Sequence, residues 1–156
     1  MTATRPVRAK TQRSRPQRER FFDTNVLIYC TDTTAPEKQA IARTLVSQAS
    51  ATGDALVSTQ VLIELFNVLT RKQQMPSAHA KALVMAYTHW TVVPSDVSLV
   101  TTAIEKSMQH QLSIWDAMVI EAAMRGGAHT LYTEDLNHGQ RFESLTVVNP
   151  FISVAL

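Results

Sequence analysis

The sequence predicts an α/β domain built on a mostly parallel sheet. From residue 20 onward, short β-branched or aromatic runs alternate with longer helical patterns, the alternation expected of βα units. At 156 residues the chain is most simply one domain, long enough to bury a sizeable core without staples. Acidic residues recur at the ends of apolar runs, where open α/β sheets place their ligands.

The first strand is expected near 20–23, where Phe21 and Phe22 run into Asp23, and a helix near 25–30 follows at once. Pro36 opens a helix near 36–51, because proline suits the first helical position. Ala55-Leu56-Val57-Ser58 reads as a strand leading directly into a helix near 59–73. Pro76 precedes a helix near 77–89, and Pro94 follows a strand near 91–93. Helices near 96–110 and 114–125 come next, the second closed by Gly126-Gly127, and strands near 128–132 and 145–148 complete the set.

Two helices raise a question of chemistry. In the helix after Thr59, positions 61, 62, 65, 66, 68 and 69 are all apolar, so most of its circumference is expected to be buried. Its polar residues Gln60, Glu64, Asn67 and Arg71 fall on one narrow stripe, aiming Glu64 at water, a cation or a ligand pocket. In the helix near 114, Asp116 heads an apolar face continued by Ala117 and Ile120, a placement that is costly unless a partner compensates the charge.

Each acid also has a plainer reading. Ser113 and Asp116 match capping-box spacing, Asp23 suits a helix cap, and Asp135 sits close to the turn-forming Asn137-His138-Gly139. The joint occurrence of Asp23, Glu64, Asp116 and Asp135 in comparable settings favours one shared role, the holding of a divalent cation. Hard oxygen ligands without a Cys cluster favour Mg²⁺ or Mn²⁺ over zinc, and the histidines at 79, 89, 110, 129 and 138 show no metal-ligand spacing. Such a site suits phosphodiester hydrolysis.

Charge is unevenly spread. Residues 1–20 carry seven Lys or Arg against one acid, Glu19, while the remainder holds eight basic and twelve acidic residues. Residues 1–19 therefore read as a basic, disordered arm, and 20–156 as the folded domain. The arm is most simply a solubilising extension or an over-long start; phosphate contact and a transit function are the alternatives. The single cysteine, Cys30, makes no internal disulfide and favours a reducing compartment. No run approaches the roughly 18 apolar residues of a membrane span, and no apolar signal core opens the chain, so a soluble, cytoplasmic protein without membrane contact is expected.

Phe-Phe-Asp-Thr-Asn-Val-Leu at 21–27 resembles the opening of a PIN domain, and the rest of that family's acidic signature follows in order. The similarity is greatest to the VapC-type toxins of bacterial toxin–antitoxin pairs and runs from about Arg20 to Phe151. Asp23 and Asn25 match the Asp-x-Asn motif, and Glu64 the glutamate of the first long buried helix. Asp116 matches the aspartate heading the late helix, with Ser113 at the preceding small hydroxyl position, and Thr133-x-Asp135 the element after the fourth strand. Either Glu134 or Asp135 is placed to approach a metal, and family spacing favours Asp135.

The resemblance implies a PIN-like three-layer α/β fold, a central mostly parallel sheet of four to five strands flanked by helices. It further implies a Mg²⁺-dependent endoribonuclease, with Mn²⁺ as a substitute, that cuts a tRNA, rRNA or mRNA loop, is silenced by a cognate antitoxin protein and forms a homodimer. Asp23 and Asp116 are then the principal metal ligands, Asp135 and Glu64 complete the cluster, and Asn25, Ser113 and Thr133 hold the carboxylates or contact the phosphate. Arg71, Lys72, Arg125 and Arg141 are candidates for the RNA backbone. The alternatives are a catalytically inactive PIN-like module that binds protein or RNA, and an aspartyl-phosphate phosphotransfer domain. Against the latter, the second acidic position of an Asp-x-Asp motif is Asn25 here, and no lysine follows Lys106.

If the arm contacts phosphate, deleting residues 1–18 weakens RNA affinity and flattens its salt dependence, which binding titrations across a salt series read directly. An unchanged slope assigns it the solubilising role.

Overall fold

Bulky apolar residues pack well on both faces of a covered parallel strand. Phe21 and Phe22 do so, both fully buried. The computed structural model describes residues 19–152, so the expected disorder of the arm falls, but for Glu19, outside the described residues. The elements run β1 (Arg20–Phe22), α1 (Thr24–Tyr29), α2 (Pro36–Thr52), β2 (Ala55–Ser58), α3 (Thr59–Arg71) and α4 (Ser77–Tyr87). They continue with β3 (Thr91–Val93), α5 (Val97–His110), α6 (Ile114–Arg125), β4 (Thr130–Tyr132), β5 (Arg141–Phe142) and β6 (Leu145–Val148).

The sheet has the order β3-β2-β1-β4-β6-β5, parallel throughout except for β5, and helices flank it. It holds six strands where four to five were expected. The addition is β5, whose two residues are too few for a period-2 pattern to register. It turns back on β6 through Glu143-Ser144, with Glu143 at φ 53.

The chain winds from β1 outward through β2 to β3, then crosses to the other flank of β1 for β4 and β6. Phe21 accordingly pairs with Leu56 on one side and Leu131 on the other. The strand order reverses between β1 and β4, and beyond the carboxyl ends of such a pair an open α/β sheet has its crevice. Asp23 leaves β1 at that point, and its N–H donates to the Tyr132 carbonyl at 3.0 Å.

Helix ends are set by their caps. Ser58 accepts from the Val61 N–H at 3.2 Å, and Asp96 accepts from the Leu99 N–H at 2.8 Å, starting α3 and α5. At the other end of α6, Gly127 takes φ 77 where a side chain would be strained. Gly126 is ordinary in backbone but lies against the sheet: a Cβ there would come within 2.5 Å of Leu56 Cδ2 and 2.9 Å of Val93 Cγ2.

The expectation that α3 is buried around most of its circumference is corrected. Val61, Leu65 and Leu69 are fully buried, but Ile63 is 70% exposed and Phe66 38%. One face of α3 packs on the sheet and its α4 neighbour, and the described residues leave apolar side chains beyond that face open. Arg20 belongs to the fold rather than to the arm, since its guanidinium pairs with Asp54 Oδ1 at 2.8 Å and with Thr52 Oγ1 at 3.0 Å. Among the described residues, no helix is long and apolar enough to cross a membrane.

Replacing Gly126 with alanine should destabilise the fold by about 1–3 kcal/mol, the usual cost of overpacking against a filled core. A lower denaturation midpoint with an unchanged slope is the expected result.

Candidate active site

Asp23 ends an apolar strand and opens a helix, and the structure puts both positions to use. Its backbone is extended (φ −75, ψ 159), and Oδ1 accepts the Thr24 N–H at 2.7 Å as the cap of α1. The other oxygen, Oδ2, accepts from the Thr133 hydroxyl at 2.8 Å and, at a longer 3.4 Å, from Asn25 Nδ2. The cap reading of Asp23 therefore holds for one oxygen while the second reaches across the crevice. Only 7% of the residue is exposed. Burial pushes its carboxyl up to about 7, against the pull of the Thr133 and Thr24 hydrogen bonds, and the charges of Asp135 and Glu64 push the same way.

Asn25 clamps the segment after β4 to α1. Its Nδ2 donates to Asp135 Oδ2 at 2.9 Å and to Thr133 Oγ1 at 3.1 Å, while its Oδ1 accepts the Glu134 N–H at 3.4 Å. Fully buried Thr133 also receives the Asp135 N–H at 3.1 Å. The choice between neighbouring acids is decided by their partners: Glu134 takes the Tyr29 hydroxyl on one oxygen at 2.7 Å and Lys38 Nζ on the other at 2.8 Å. It is occupied elsewhere, and Asp135 is the carboxylate that faces Asp23.

Glu64 comes from α3 to the same place. Oε2 accepts from the Thr24 hydroxyl at 2.9 Å, and Oε1 from Gln60 Nε2, one turn earlier on the helix, also at 2.9 Å. Asp116 arrives from the first turn of α6. The Ser113 hydroxyl accepts the Asp116 N–H at 3.1 Å, half of a capping box; among the described residues no bond returns from the Asp116 carboxylate to the Ser113 N–H. That carboxyl too is raised, by burial first, with the Ser113 side chain opposing and the charges of Asp135 and Glu64 adding.

Asp23 and Asp116 thus each lie within electrostatic reach of Asp135 and Glu64, and Asn25, Ser113 and Thr133 each bond to one of the four acids or to its backbone. Among the described residues, no Lys or Arg pairs with or donates to any of the four. Like charges gathered around a buried Asp23 without a counter-charge are unfavourable, and a divalent cation with a preference for oxygen is the compensation this donor set fits. As placed, no three His, Cys, Asp or Glu side chains among the described residues are gathered closely enough to hold an ion by themselves. A cation that keeps several waters suits that spacing.

Sequence reasoning missed Thr24 and Gln60, the two groups that orient Glu64. Gln60 was on the polar stripe with Glu64 four residues away, a signal for the pair; Thr24 had none beyond its place inside Asp-Thr-Asn. Of the basic candidates, Arg125 is corrected: its guanidinium is committed to Glu121 at 2.8 Å and to Ser98 and Thr102 at 3.2 Å, joining α6 to α5. Arg71, Lys72 and Arg141 are exposed. Lys106 lies in the same α5–α6 contact, 3.8 Å from Glu121, away from Asp23.

A family model described as PIN domain matches residues 20–141. Comparison with curated proteins gives no significant match. Among solved structures, the chain is similar to a toxin–antitoxin complex from Klebsiella pneumoniae at TM-score 0.61 and 17% identity, covering 85% of this chain and 98% of that one. It is similar to Mycobacterium tuberculosis VapC20, described as a sarcin–ricin loop cleaving toxin, at TM-score 0.59 and 20% identity over 75% of this chain and 92% of that one. A third similarity is to VapBC2 from Rickettsia felis bound to a promoter DNA fragment, at TM-score 0.58 and 15% identity over 82% of this chain and 96% of that one. At these identities the likeness establishes the fold.

The raised carboxyl of Asp23 sets the sign of a pH dependence. Below pH 3.8 the group is protonated folded or unfolded and adds nothing; as pH rises toward 7 the unfolded chain releases its proton while the folded one retains it, so stability falls. The full cost, roughly 4 kcal/mol at most, is reached above pH 7. Asp23→Asn removes it but turns an amide toward Thr133, so a net gain of roughly 1–3 kcal/mol is expected at pH 8 in EDTA, shrinking to little at pH 4. Thermal melts at the two pH values measure the difference.

Proposed function

The chain belongs to the PIN domain family, and from that premise we propose that it is a divalent-metal-dependent endoribonuclease, the toxin of a toxin–antitoxin pair. The observation that carries the reading is the convergence of four carboxylates at the switch point of the sheet, with no basic side chain bonded to them among the described residues. Asp23 and Asp116 would be the principal ligands of Mg²⁺ or Mn²⁺. Asp135 would join them directly or through water, and Glu64 would orient the attacking water or serve a second ion. A bound cation there supplies activation of water, neutralisation of phosphate oxygens and stabilisation of the departing alkoxide.

The chain's own residues supply position. Asn25 and Thr133 hold Asp23 and Asp135 at fixed separation across the crevice, as supporting hydrogen bonds do around catalytic carboxylates. Thr24 and Gln60 fix both oxygens of Glu64, so that it presents a defined face to an incoming water. The Ser113 hydroxyl starts α6 and thereby sets where Asp116 projects. No step requires a 2′-hydroxyl of the substrate.

RNA as substrate and a cognate antitoxin as partner are supported by the neighbours described as a sarcin–ricin loop cleaving toxin and as toxin–antitoxin complexes. Sequence-specific RNA reading commonly targets unpaired loops of this kind. A homodimer belongs to the same reading, and exposed Phe66 and Met85 on α3 and α4 support a protein-covered face there.

Purified protein is expected to cleave RNA with Mg²⁺ or Mn²⁺ and to stop in excess EDTA. Asp23→Asn and Asp116→Asn should each lower the rate by at least about a hundredfold while the circular dichroism spectrum is retained. Full activity in either variant, or in EDTA, overturns the mechanism.

A further inference from the structure

Beside Glu64 the structure has a cavity of about 610 Å³. That lies in the range of about 300–1,000 Å³ common for small-ligand sites. Ile63, Met118 and Trp115 form its apolar walls, and Thr59, Gln60 and Ser95 its polar part. Glu64 belongs both to this cavity and to the carboxylate cluster, so the two are continuous.

The walls are unusual for a free surface. Trp115 is 62% exposed, one residue before Asp116, and among the described residues its indole makes neither a ring contact nor a hydrogen bond. Ile63 beside it is 70% exposed. A large flat ring left open next to a carboxylate cluster is a stacking platform: every base has a π-face, whatever its sequence.

The polar part offers hydrogen bonds of both senses. Gln60 is only 8% exposed and its Nε2 is committed to Glu64, while its carbonyl oxygen remains open to solvent and to a donor. An open acceptor at the cavity wall can exchange water for a donor on a ligand. The Ser95 hydroxyl accepts from Thr59 Oγ1 at 3.1 Å, which leaves its own proton available to donate. An apolar cavity needs neither, whereas the edge of a base presents donors and acceptors together.

Resting on the nuclease reading, we propose that this cavity seats one unpaired nucleobase of the RNA, stacked on Trp115 with its edge toward Gln60 and Ser95. Stacking there holds a nucleotide adjoining the scissile phosphate, and Trp115 is a positioning residue. A second copy of the chain or a partner protein covering Trp115 is the competing occupant. The base is favoured because the cavity shares Glu64 with the cluster, where the substrate backbone would lie, and sets an open acceptor and a free hydroxyl proton beside an exposed ring.

The test is made in EDTA, where binding is read without cleavage, using a short single-stranded oligoribonucleotide and an abasic ribose-phosphate oligomer of equal length. The oligoribonucleotide should quench the fluorescence of Trp115 and bind Trp115→Ala five- to a hundredfold more weakly, with Trp115→Phe largely restored. The abasic oligomer should not distinguish the three proteins. Equal affinities for the oligoribonucleotide, or quenching that survives in Trp115→Ala, overturn the proposal. So does a variant that binds RNA normally but sediments as a smaller species, which would make the cavity an interface between copies. Base-dependent quenching in a protein that never cuts RNA with Mg²⁺ would remove the nuclease reading and keep the base site. Cleavage with unaltered metal-free binding in Trp115→Ala would do the reverse.

Discussion

The parallel pairing of β1 with β4 is the constraint on which the rest of the structure depends. These strands lie more than a hundred residues apart in the chain, yet Phe21 faces Leu131 and Phe22 faces Tyr132 across them. Their carboxyl ends deliver Asp23 on one side and Thr133, Glu134 and Asp135 on the other. Without that register Asn25 would have no Asp135 to hold, and Oδ2 of Asp23 no Thr133 hydroxyl. The strand order reverses at this pair, which is why the crevice and the acids coincide.

The same placement makes the site a cost to the fold. Asp23 is buried, and its carboxyl is pushed upward by that burial and by two neighbouring carboxylates. Its hydrogen bonds return part of that energy and orient both oxygens. Functional sites commonly hold such locally unfavourable arrangements, tolerated because the surrounding core over-determines them. Here the fully buried side chains of β1, β2, α3 and β4 supply that core. Around it, Glu134, Lys38 and Tyr29 form a separate half-buried network, so one acid of the Glu134-Asp135 pair is structural while its neighbour faces the cluster.

Much of this was legible because local pattern and global fold agree. Asp-Thr-Asn after two phenylalanines marked a strand end, and the i, i+4 stripe of α3 aimed Gln60 and Glu64 the same way. What escaped notice depended on partners distant in sequence. Arg125 reads as a free cation until α5 places Ser98 and Thr102 beside it. Phe66 reads as core until α3 is seen to cover the sheet with one face alone. Trp115 gave no signal, because an exposed and a buried tryptophan look identical in a helical pattern.

The sequence by itself determined the order of every strand and helix but β5, the family resemblance and which acids stand at the ends of strands and the heads of helices, because propensity, capping and periodicity are local and act within a few residues. The tertiary structure decided which of Glu134 and Asp135 turns toward Asp23, which cations are already committed, and which apolar residues stay open beside Glu64. Those are questions of which side chain meets which across the crevice, and they are answered only when strands remote in the chain are brought into register.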